Sequence, residues 1–308
     1  MTYAWIAWWA PPGGLRRPSF SPAELRRIGG FAIGITGITI LSFVLIQTDR
    51  IVLSKLLALD EFGVYAFAAS VVYVLLRLVQ PIVTAVYPRY SQLVAAGDVG
   101  TLIAFYHWTN QVMAAVVLPA GAVATVFATD ILRVWTANPG LSAASGPIMA
   151  LLVAGMALNG LMNLPYALQL AYGWTTLALW INVVSVCFVV PAVWIIGREF
   201  GGVGAAAVWL ALNLGYVAVG IPLMHRRLLN GEMSHWYLSD ILPPLAASVF
   251  VAALWRAGVR ETPGGLSGAA LLLLVTATTV AASLAVSRYP RIMVRDWWTQ
   301  WRSLHARG

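Results

Sequence analysis

The stretch Val134–Gly197 reads VWTANPGLSAASGPIMALLVAGMALNGLMNLPYALQLAYGWTTLALWINVVSVCFVVPAVWIIG. Its 64 residues include no Asp, Glu, Lys or Arg. A transmembrane helix needs about 20 consecutive apolar residues, so this stretch is too long for one span and holds at least two. It therefore predicts an all-α integral membrane protein with several spans.

The composition of the whole chain agrees with that class. Of its 308 residues 60% are hydrophobic and 10% are charged, and the mean hydropathy is +0.80. A typical soluble domain is about 25% charged. The net charge of +8 would suggest nucleic acid as a partner of a soluble protein. Here the basic residues flank apolar stretches, which indicates orientation in a membrane, and we expect no nucleic-acid partner.

Charge-free stretches and helix-breaking residues predict about eight transmembrane helices. Pro88 is expected to end the second helix, and the pair Gly201-Gly202 to separate the fifth from the sixth. The predicted spans are Ile28–Thr48, Phe62–Val86, His107–Thr129, Gly146–Leu170, Trp174–Ile196, Val203–Met224, Ile241–Trp255 and Leu266–Val286.

The charges at the two ends predict the orientation. Four arginines precede the first span and five follow the last, which places both termini in the cytoplasm. The last segment also carries three tryptophans, so membrane lipids are expected partners. The predicted parts are a cytoplasmic N-terminal segment (1–27), a six-helix transmembrane bundle (28–224), a cytoplasmic loop (225–239), an extra transmembrane helix pair (240–286) and a basic cytoplasmic tail (287–308).

Arg77 is the most unusual residue within a predicted span. It is the only charged residue in Phe62–Pro88, and an arginine at the bilayer centre costs at least about 2.5–3.5 kcal/mol. Tyr73 and Gln80 lie four and three residues away and share its helix face. Three interpretations remain open: Arg77 pairs with a carboxylate such as Asp49, it lines a cavity and meets an anionic ligand, or its side chain snorkels to the membrane surface.

Three further polar residues within or near spans are candidates for binding. Asp49 lies at the end of the first predicted span, where it either caps the span or contacts a coupling ion or substrate. Asn159 and Asn163 are spaced i, i+4 on the fourth span. Amides at this spacing either hydrogen-bond to a neighbouring helix or line a cavity.

Catalytic and metal-binding motifs are absent from the sequence. It contains no nucleophile elbow, phosphate-binding loop or His-Glu-x-x-His motif, and its single Cys187 excludes a multi-cysteine metal site. We therefore expect no enzyme activity, no cofactor and no metal. The four histidines are interpreted as solvated polar residues near span ends or in tails, and they are His107, His225, His235 and His305.

Four short motifs follow one another between Phe31 and Ser91: Phe31-Ala32-Ile33-Gly34, Gln47-Thr48-Asp49-Arg50-Ile51-Val52-Leu53-Ser54, Glu61-Phe62-Gly63-Val64-Tyr65-Ala66 and Val86-Tyr87-Pro88-Arg89-Tyr90-Ser91. Together they resemble the start of the second half of a polysaccharide-biosynthesis flippase, and Leu15–Ser21 is similar to the linker between that family's two six-helix bundles. The family that the chain resembles is the O-antigen (Wzx-type) branch of the MATE-like multidrug/oligosaccharidyl-lipid/polysaccharide exporter superfamily.

The resemblance implies a MATE-like six-helix bundle plus an extra C-terminal helix pair in a bacterial inner membrane. It implies alternating-access export of polyprenyl-pyrophosphate-linked oligosaccharide repeat units for O-antigen, capsule or exopolysaccharide. Arg77 would attract the pyrophosphate, Gln80 and Tyr73 would hydrogen-bond the head group, and Asn159 and Asn163 are secondary candidates. Members have twelve to fourteen spans, so this chain resembles a half-transporter, either truncated or completed by a second bundle or by polysaccharide assembly proteins.

Two other functions are kept as alternatives. A MATE-like multidrug or metabolite antiporter needs a membrane-embedded carboxylate, and Asp49 is the candidate that the sequence offers for ion coupling. A non-transporting scaffold of an exopolysaccharide assembly complex is a role that a half-transporter could take.

Overall fold

The computed structural model describes residues 22–259 and 261–289, so most of the predicted N-terminal segment (1–27), including the linker-like Leu15–Ser21, and most of the predicted basic tail (287–308) lie outside the described residues. The described residues are helical, with no strand among them. The helices in chain order are α1 (Pro22–Leu56), α2 (Leu59–Val72), α3 (Leu76–Ala96), α4 (Val99–Val126), α5 (Ala128–Thr136), α6 (Pro139–Ala171), α7 (Thr176–Gly215), α8 (Ile221–Leu228), α9 (Leu242–Gly258) and α10 (Gly265–Val286). A π-helical turn, Tyr216–Gly220, joins α7 to α8, and Met233–His235 with the π-helical Trp236–Ile241 leads into α9.

The prediction of an all-α membrane protein is confirmed. Seven of the helical stretches in the described part of the chain are long and apolar enough to cross a membrane. The longest of them, Thr176–Leu228, contains two of the eight predicted spans. The other stretches each overlap one predicted span.

The chain reverses within the longest stretch at Gly201. This residue has φ 58° and ψ −142°, which is not helical. A Cβ atom on Gly204 would lie 2.6 Å from the carbonyl oxygen of Ile196, although residues eight apart on a straight helix are about 12 Å apart. A Cβ atom on Gly220 would likewise meet the side chain of Ile181. Two antiparallel segments therefore pack side by side, as the glycine pair predicts.

The second predicted span differs from its prediction in two ways. It is broken at residues 73–75, where the backbone forms i→i−3 bonds such as Val74 N–H to the Val71 carbonyl. The helix also continues past Pro88 to Ala96 and ends at Gly97, which has φ 68°. Pro81 and Pro88 lie seven residues apart on the exposed side of α3, so the carbonyls that they leave free do not face the core.

Helix α6 lies at the centre of the bundle and contacts α2, α3, α4, α5, α7 and α8. One apolar cluster packs around its first half, with Leu53 and Tyr65 among its fully buried members. A second cluster packs around its last half and includes Trp236. The predicted extra pair, α9 and α10, packs on α4 through Phe127, Ala252 and Val275.

The segment 225–239, expected to be a loop, is mostly helical and packed. His225 lies in the last turn of α8 and is 1% exposed, and Trp236 is fully buried. This segment therefore connects the bundle to the extra pair as part of the folded core.

We predict that Gly201→Ala destabilises the protein by about 1–3 kcal/mol, because the backbone region at this residue is accessible essentially to glycine alone. A Cβ atom at Gly201 would have only one neighbour, Leu57 at 3.9 Å, so the cost comes from φ and not from crowding. The free energy of unfolding, measured in detergent by tryptophan fluorescence, checks this.

Gly215→Ala is the matched control, because Gly215 has helical dihedral angles and open space around its Cβ position. This control should leave stability unchanged or raise it by up to about 1 kcal/mol. Equal effects of the two substitutions would contradict the chain reversal at Gly201.

Candidate functional site

A cavity of about 360 Å³ lies between α1, α2, α3, α6 and α7. Its volume is at the lower end of the range of about 300–1,000 Å³ that is typical of small-molecule sites. Gln80 is both exposed and part of the lining, so the cavity reaches the surface beside α3. The polar residues of the lining are Ser42, Asp49, Tyr73, Gln80, Asn159, Asn163, Tyr166, Gln169, Asn182, Trp209 and Tyr216.

Four of the five predicted substrate-binding residues line this cavity. Tyr73 and Gln80 come from the two sides of the break in the second span, and Asn159 and Asn163 lie one turn apart on α6. Asp49, the predicted coupling residue, also lines it. The structure therefore brings together residues that are up to 114 positions apart in the sequence.

Arg77 is the predicted site residue that the structure does not bring to the cavity. Its side chain is exposed on α3, one turn before Gln80, and it is not part of the lining. No ion pair joins it to Asp49 within the described part of the chain. The interpretation in which these two residues neutralise each other is therefore wrong.

Among the described residues, Asp49 is the only acidic, basic or histidine side chain in the cavity wall. It accepts hydrogen bonds from the Tyr65 hydroxyl and from the backbone N–H of Arg50. The Arg50 guanidinium lies 5.2 Å from the centre of the Tyr73 ring. Because α1 continues to Leu56, Asp49 lies inside the helix and does not cap it.

The two asparagines on α6 differ in their hydrogen bonds. Asn159 donates to the Asn213 side chain on α7 at 2.9 Å, and Asn213 is fully buried. Asn163 donates to the Asn159 carbonyl of its own helix at 2.8 Å. Asn159 thus both lines the cavity and joins two helices, whereas Asn163 lines the cavity without joining helices through a bond within the described residues.

Gln169 leaves a hydrogen-bond acceptor unsatisfied at the cavity wall. Its side chain is 4% exposed, and its Oε1 atom has no partner within residues 22–259 and 261–289. Buried polar atoms are nearly always hydrogen-bonded to protein, water or ligand. Within the described residues, Gln169 is therefore an exception among the polar side chains that line the cavity.

Irregular backbone borders the cavity on two sides. The break at residues 73–75 includes Tyr73, and the π-helical turn begins at Tyr216 and ends at Gly220. At membrane depth, non-helical backbone is tolerated where it is buried in protein or lines a water-filled space. Both irregularities are therefore consistent with a wet cavity.

Some residues of this wall were not predicted from the sequence, and two histidines lie where the sequence did not place them. Ser42 and Tyr216 lie within spans but at no diagnostic spacing. Asn182, whose amide within a span indicated either a bond to another helix or a place in a cavity wall, does both: it lines the cavity and donates to the Ser42 hydroxyl at 3.0 Å. His107 and His225 are 3% and 1% exposed, so their interpretation as solvated residues is wrong. His235 is exposed, and His305 lies outside the described residues.

His107 belongs to a buried polar cluster at one end of α4. Its Nδ1 atom lies 2.5 Å from the Asp240 carboxylate and its Nε2 atom 3.0 Å from the Glu232 carboxylate. Gln111, one turn further along α4, donates to Asp240 at 2.9 Å. A signal in the sequence was available: His107 and Gln111 share one helix face, i and i+4, at the start of an apolar span.

Comparison with known protein families identifies the first part of the chain. Residues 2–138 match the family described as polysaccharide biosynthesis protein. This confirms the predicted relation to polysaccharide-biosynthesis proteins for residues 2–138, which are fewer than half of the chain. The match covers α1 to α5, with Asp49, Tyr73 and Gln80, and ends before the cavity residues of α6 and α7. Searches of curated proteins and of solved structures find no match.

We predict that Asn159→Ala destabilises the protein by about 0.6 kcal/mol, and by no more than about 1.7 kcal/mol, the range for interhelical hydrogen bonds in membranes. The substitution removes the bond to Asn213 and leaves a fully buried amide oxygen unpaired. Unfolding in a denaturing detergent series measures the change.

Asn163→Ala is the paired substitution, since Asn163 hydrogen-bonds within its own helix. It should change stability by less than Asn159→Ala does. A larger loss at Asn163 would mean that the two amides have been assigned the wrong structural roles.

Proposed function

We propose that this protein moves polyprenyl-pyrophosphate-linked oligosaccharide repeat units across the bacterial inner membrane. The observation that carries the proposal is the cavity within the transmembrane bundle, lined by amide and phenol side chains. Polar residues at membrane depth are costly, and they mark substrate pathways. The match of residues 2–138 to the polysaccharide biosynthesis protein family supports a polysaccharide precursor as the substrate.

The chemistry of the cavity wall suits a sugar. Amide and hydroxyl groups both donate and accept hydrogen bonds, as sugar hydroxyls do. Within the described part of the chain, Asp49 is the one carboxylate in the wall, and glycoside hydrolysis uses a pair of carboxylates. On this proposal the protein binds and releases its substrate without covalent chemistry and is not an enzyme.

Arg77 retains its proposed role toward the pyrophosphate, from outside the cavity. The exposed side of α3 carries Arg77, Gln80, Thr84 and Arg89, which is too polar for a surface that faces lipid. We therefore place this side of α3 against a second transmembrane bundle, with the lipid-linked pyrophosphate between the two walls. Alternating access then opens the shared space first to the cytoplasm, where both termini lie, and next to the periplasm.

We predict that deleting the gene in the source bacterium traps lipid-linked repeat units in the cytoplasmic leaflet and lowers surface polysaccharide. Complementation with Gln80→Ala should restore export to about a half to a tenth of that of the wild type, since one hydrogen bond contributes about 0.5–1.5 kcal/mol. Leaflet distribution is measured by the accessibility of the glycan to an external glycosidase.

Ser267→Ala is the control, because Ser267 is exposed on α10, far from Gln80 in the sequence, and does not line the cavity. It should complement fully. Unchanged polysaccharide and leaflet distribution in the deletion strain would overturn the proposed function.

A cation-coupled antiporter of drugs or metabolites is the second candidate, favoured by the Asp49 carboxylate in the cavity wall. It predicts that Asp49→Asn abolishes proton- or sodium-driven efflux of a cationic dye from cells. Tyr65→Phe, which removes the hydrogen bond to Asp49 but keeps the carboxylate, should retain part of that efflux. Absence of dye efflux by the wild type excludes this candidate.

A further inference from the structure

Four ionisable side chains meet in the buried polar cluster on α4. Two carboxylates, Asp240 and Glu232, and two imidazoles, His107 and His235, meet where the segment between α8 and α9 packs on α4. Asp240 is fully buried, and burying a carboxylate is costly unless a positive charge or several hydrogen bonds compensate it. If both imidazoles are neutral, the four groups carry two negative charges, which one divalent cation balances.

Three of these side chains converge closely enough to hold one ion. One potential ligand atom each from His107, His235 and Asp240 lie within 4.8 Å of one another. The two imidazole rings are 4.2 Å apart between centroids, and the His235 Nε2 atom is 3.8 Å from the Asp240 carboxylate. Imidazole nitrogen and carboxylate oxygen are common ligands of Zn²⁺, and Zn²⁺ sites with three protein ligands leave a fourth position for water.

The surrounding contacts are those of a metal site. A histidine that binds a metal usually gives its other ring N–H to a carboxylate, and the His107 Nε2 atom faces Glu232 at 3.0 Å. A carboxylate that binds a metal is itself hydrogen-bonded, and Gln111 donates to Asp240 at 2.9 Å. Gln111 is held in turn by the Tyr289 backbone N–H at 3.0 Å.

From this arrangement we infer that His107, His235 and Asp240 bind a divalent transition-metal ion, with Zn²⁺ as the expected occupant and Glu232 orienting His107. The ion takes the place of the proton between His107 Nδ1 and Asp240. These two atoms, now 2.5 Å apart, separate to roughly 3.3 Å, the spacing of neighbouring ligands in a tetrahedral zinc site. Asp240 lies on the π-helical segment before α9, a backbone form that frequently occurs at functional sites.

The exposure of the side chains indicates how the ion enters the site, and the helices that carry them indicate its role. The side chains of His235 and Glu232 are 45% and 27% exposed, so the ion enters from that side and its fourth ligand is water. His107 belongs to α4, whereas His235 and Asp240 belong to the segment that leads into α9. The ion therefore clamps the start of the extra helix pair to the bundle, a role that is independent of the proposed transport.

Zinc binding by the full chain tests the site. The protein is purified in detergent through a tag without histidines, stripped with a chelator, and titrated with Zn²⁺ against a chromophoric competitor. We expect one high-affinity ion per chain by elemental analysis, and a higher thermal midpoint when Zn²⁺ is present. Co²⁺ in place of Zn²⁺ should give the visible absorption of a tetrahedral site.

Substitutions at the exposed His235 and the partly buried Glu232 separate binding from folding. Glu232→Gln should weaken Zn²⁺ binding by about 10–100-fold, as is usual when the carboxylate partner of a metal-bound histidine is removed. His235→Ala removes a ligand and should weaken Zn²⁺ binding by more than this. Glu199→Gln, at an exposed carboxylate away from the cluster, is the control and should bind as the wild type does. The proposed site is overturned if the wild-type protein binds no Zn²⁺, or if His235→Ala binds Zn²⁺ as tightly as the wild type does. In either case His107 is an imidazolium between two carboxylates.

Discussion

The hydrocarbon of a membrane offers no hydrogen-bond partners, and the rest of this structure depends on that constraint. Every backbone polar group in a span must be satisfied within the protein, which is why the described residues are helical and contain no strand. The same constraint applies to side chains. Asn159 bonds to Asn213, Asn182 bonds to Ser42, and Asp240 is surrounded by His107 and Gln111. Polar side chains left over after this pairing, such as Gln169, are found at the cavity.

The helices could be predicted because their signal is local. A charge-free stretch long enough to cross a membrane identifies its own helix, and the reversal at Gly201 follows from a glycine pair between two such stretches. The end of α3 could not be predicted in the same way. Pro88 removes a hydrogen bond from any helix, but whether the chain tolerates this loss depends on the face on which the proline lies. That face is set by how α3 packs on α4 and α6, and its sequence does not contain this information.

The cavity residues could be predicted from neighbours in the sequence, whereas the cluster around His107 could not. Tyr73, Gln80, Asn159 and Asn163 were candidates because each pair shares a helix face, and all four line the cavity. Arg77 lies between Tyr73 and Gln80 in the sequence but does not line the cavity, and the helix is interrupted at residues 73–75, between Tyr73 and Arg77. The cluster around His107 escaped prediction because its partners, Glu232 and Asp240, are 125 and 133 residues away. Each of them alone resembles an ordinary charged residue near the end of a span.

The two sides of the bundle, separated by α6, differ: one side contains ionic contacts between helices, and the other contains the cavity. Just before α9 begins, Asp240 accepts a hydrogen bond from Gln111 of α4. In the last turn of α9, Arg256 donates to Asp130 of α5 at 2.8 Å. On the opposite face lie α1, the broken α2–α3 pair and the π-helical turn, and these supply the cavity together with α6 and α7. No lining residue comes from α4, α5, α9 or α10 within the described ranges. A second bundle would therefore join at the face with the cavity, whose walls contain the irregular backbone, and the extra helix pair would remain on the far, fastened side.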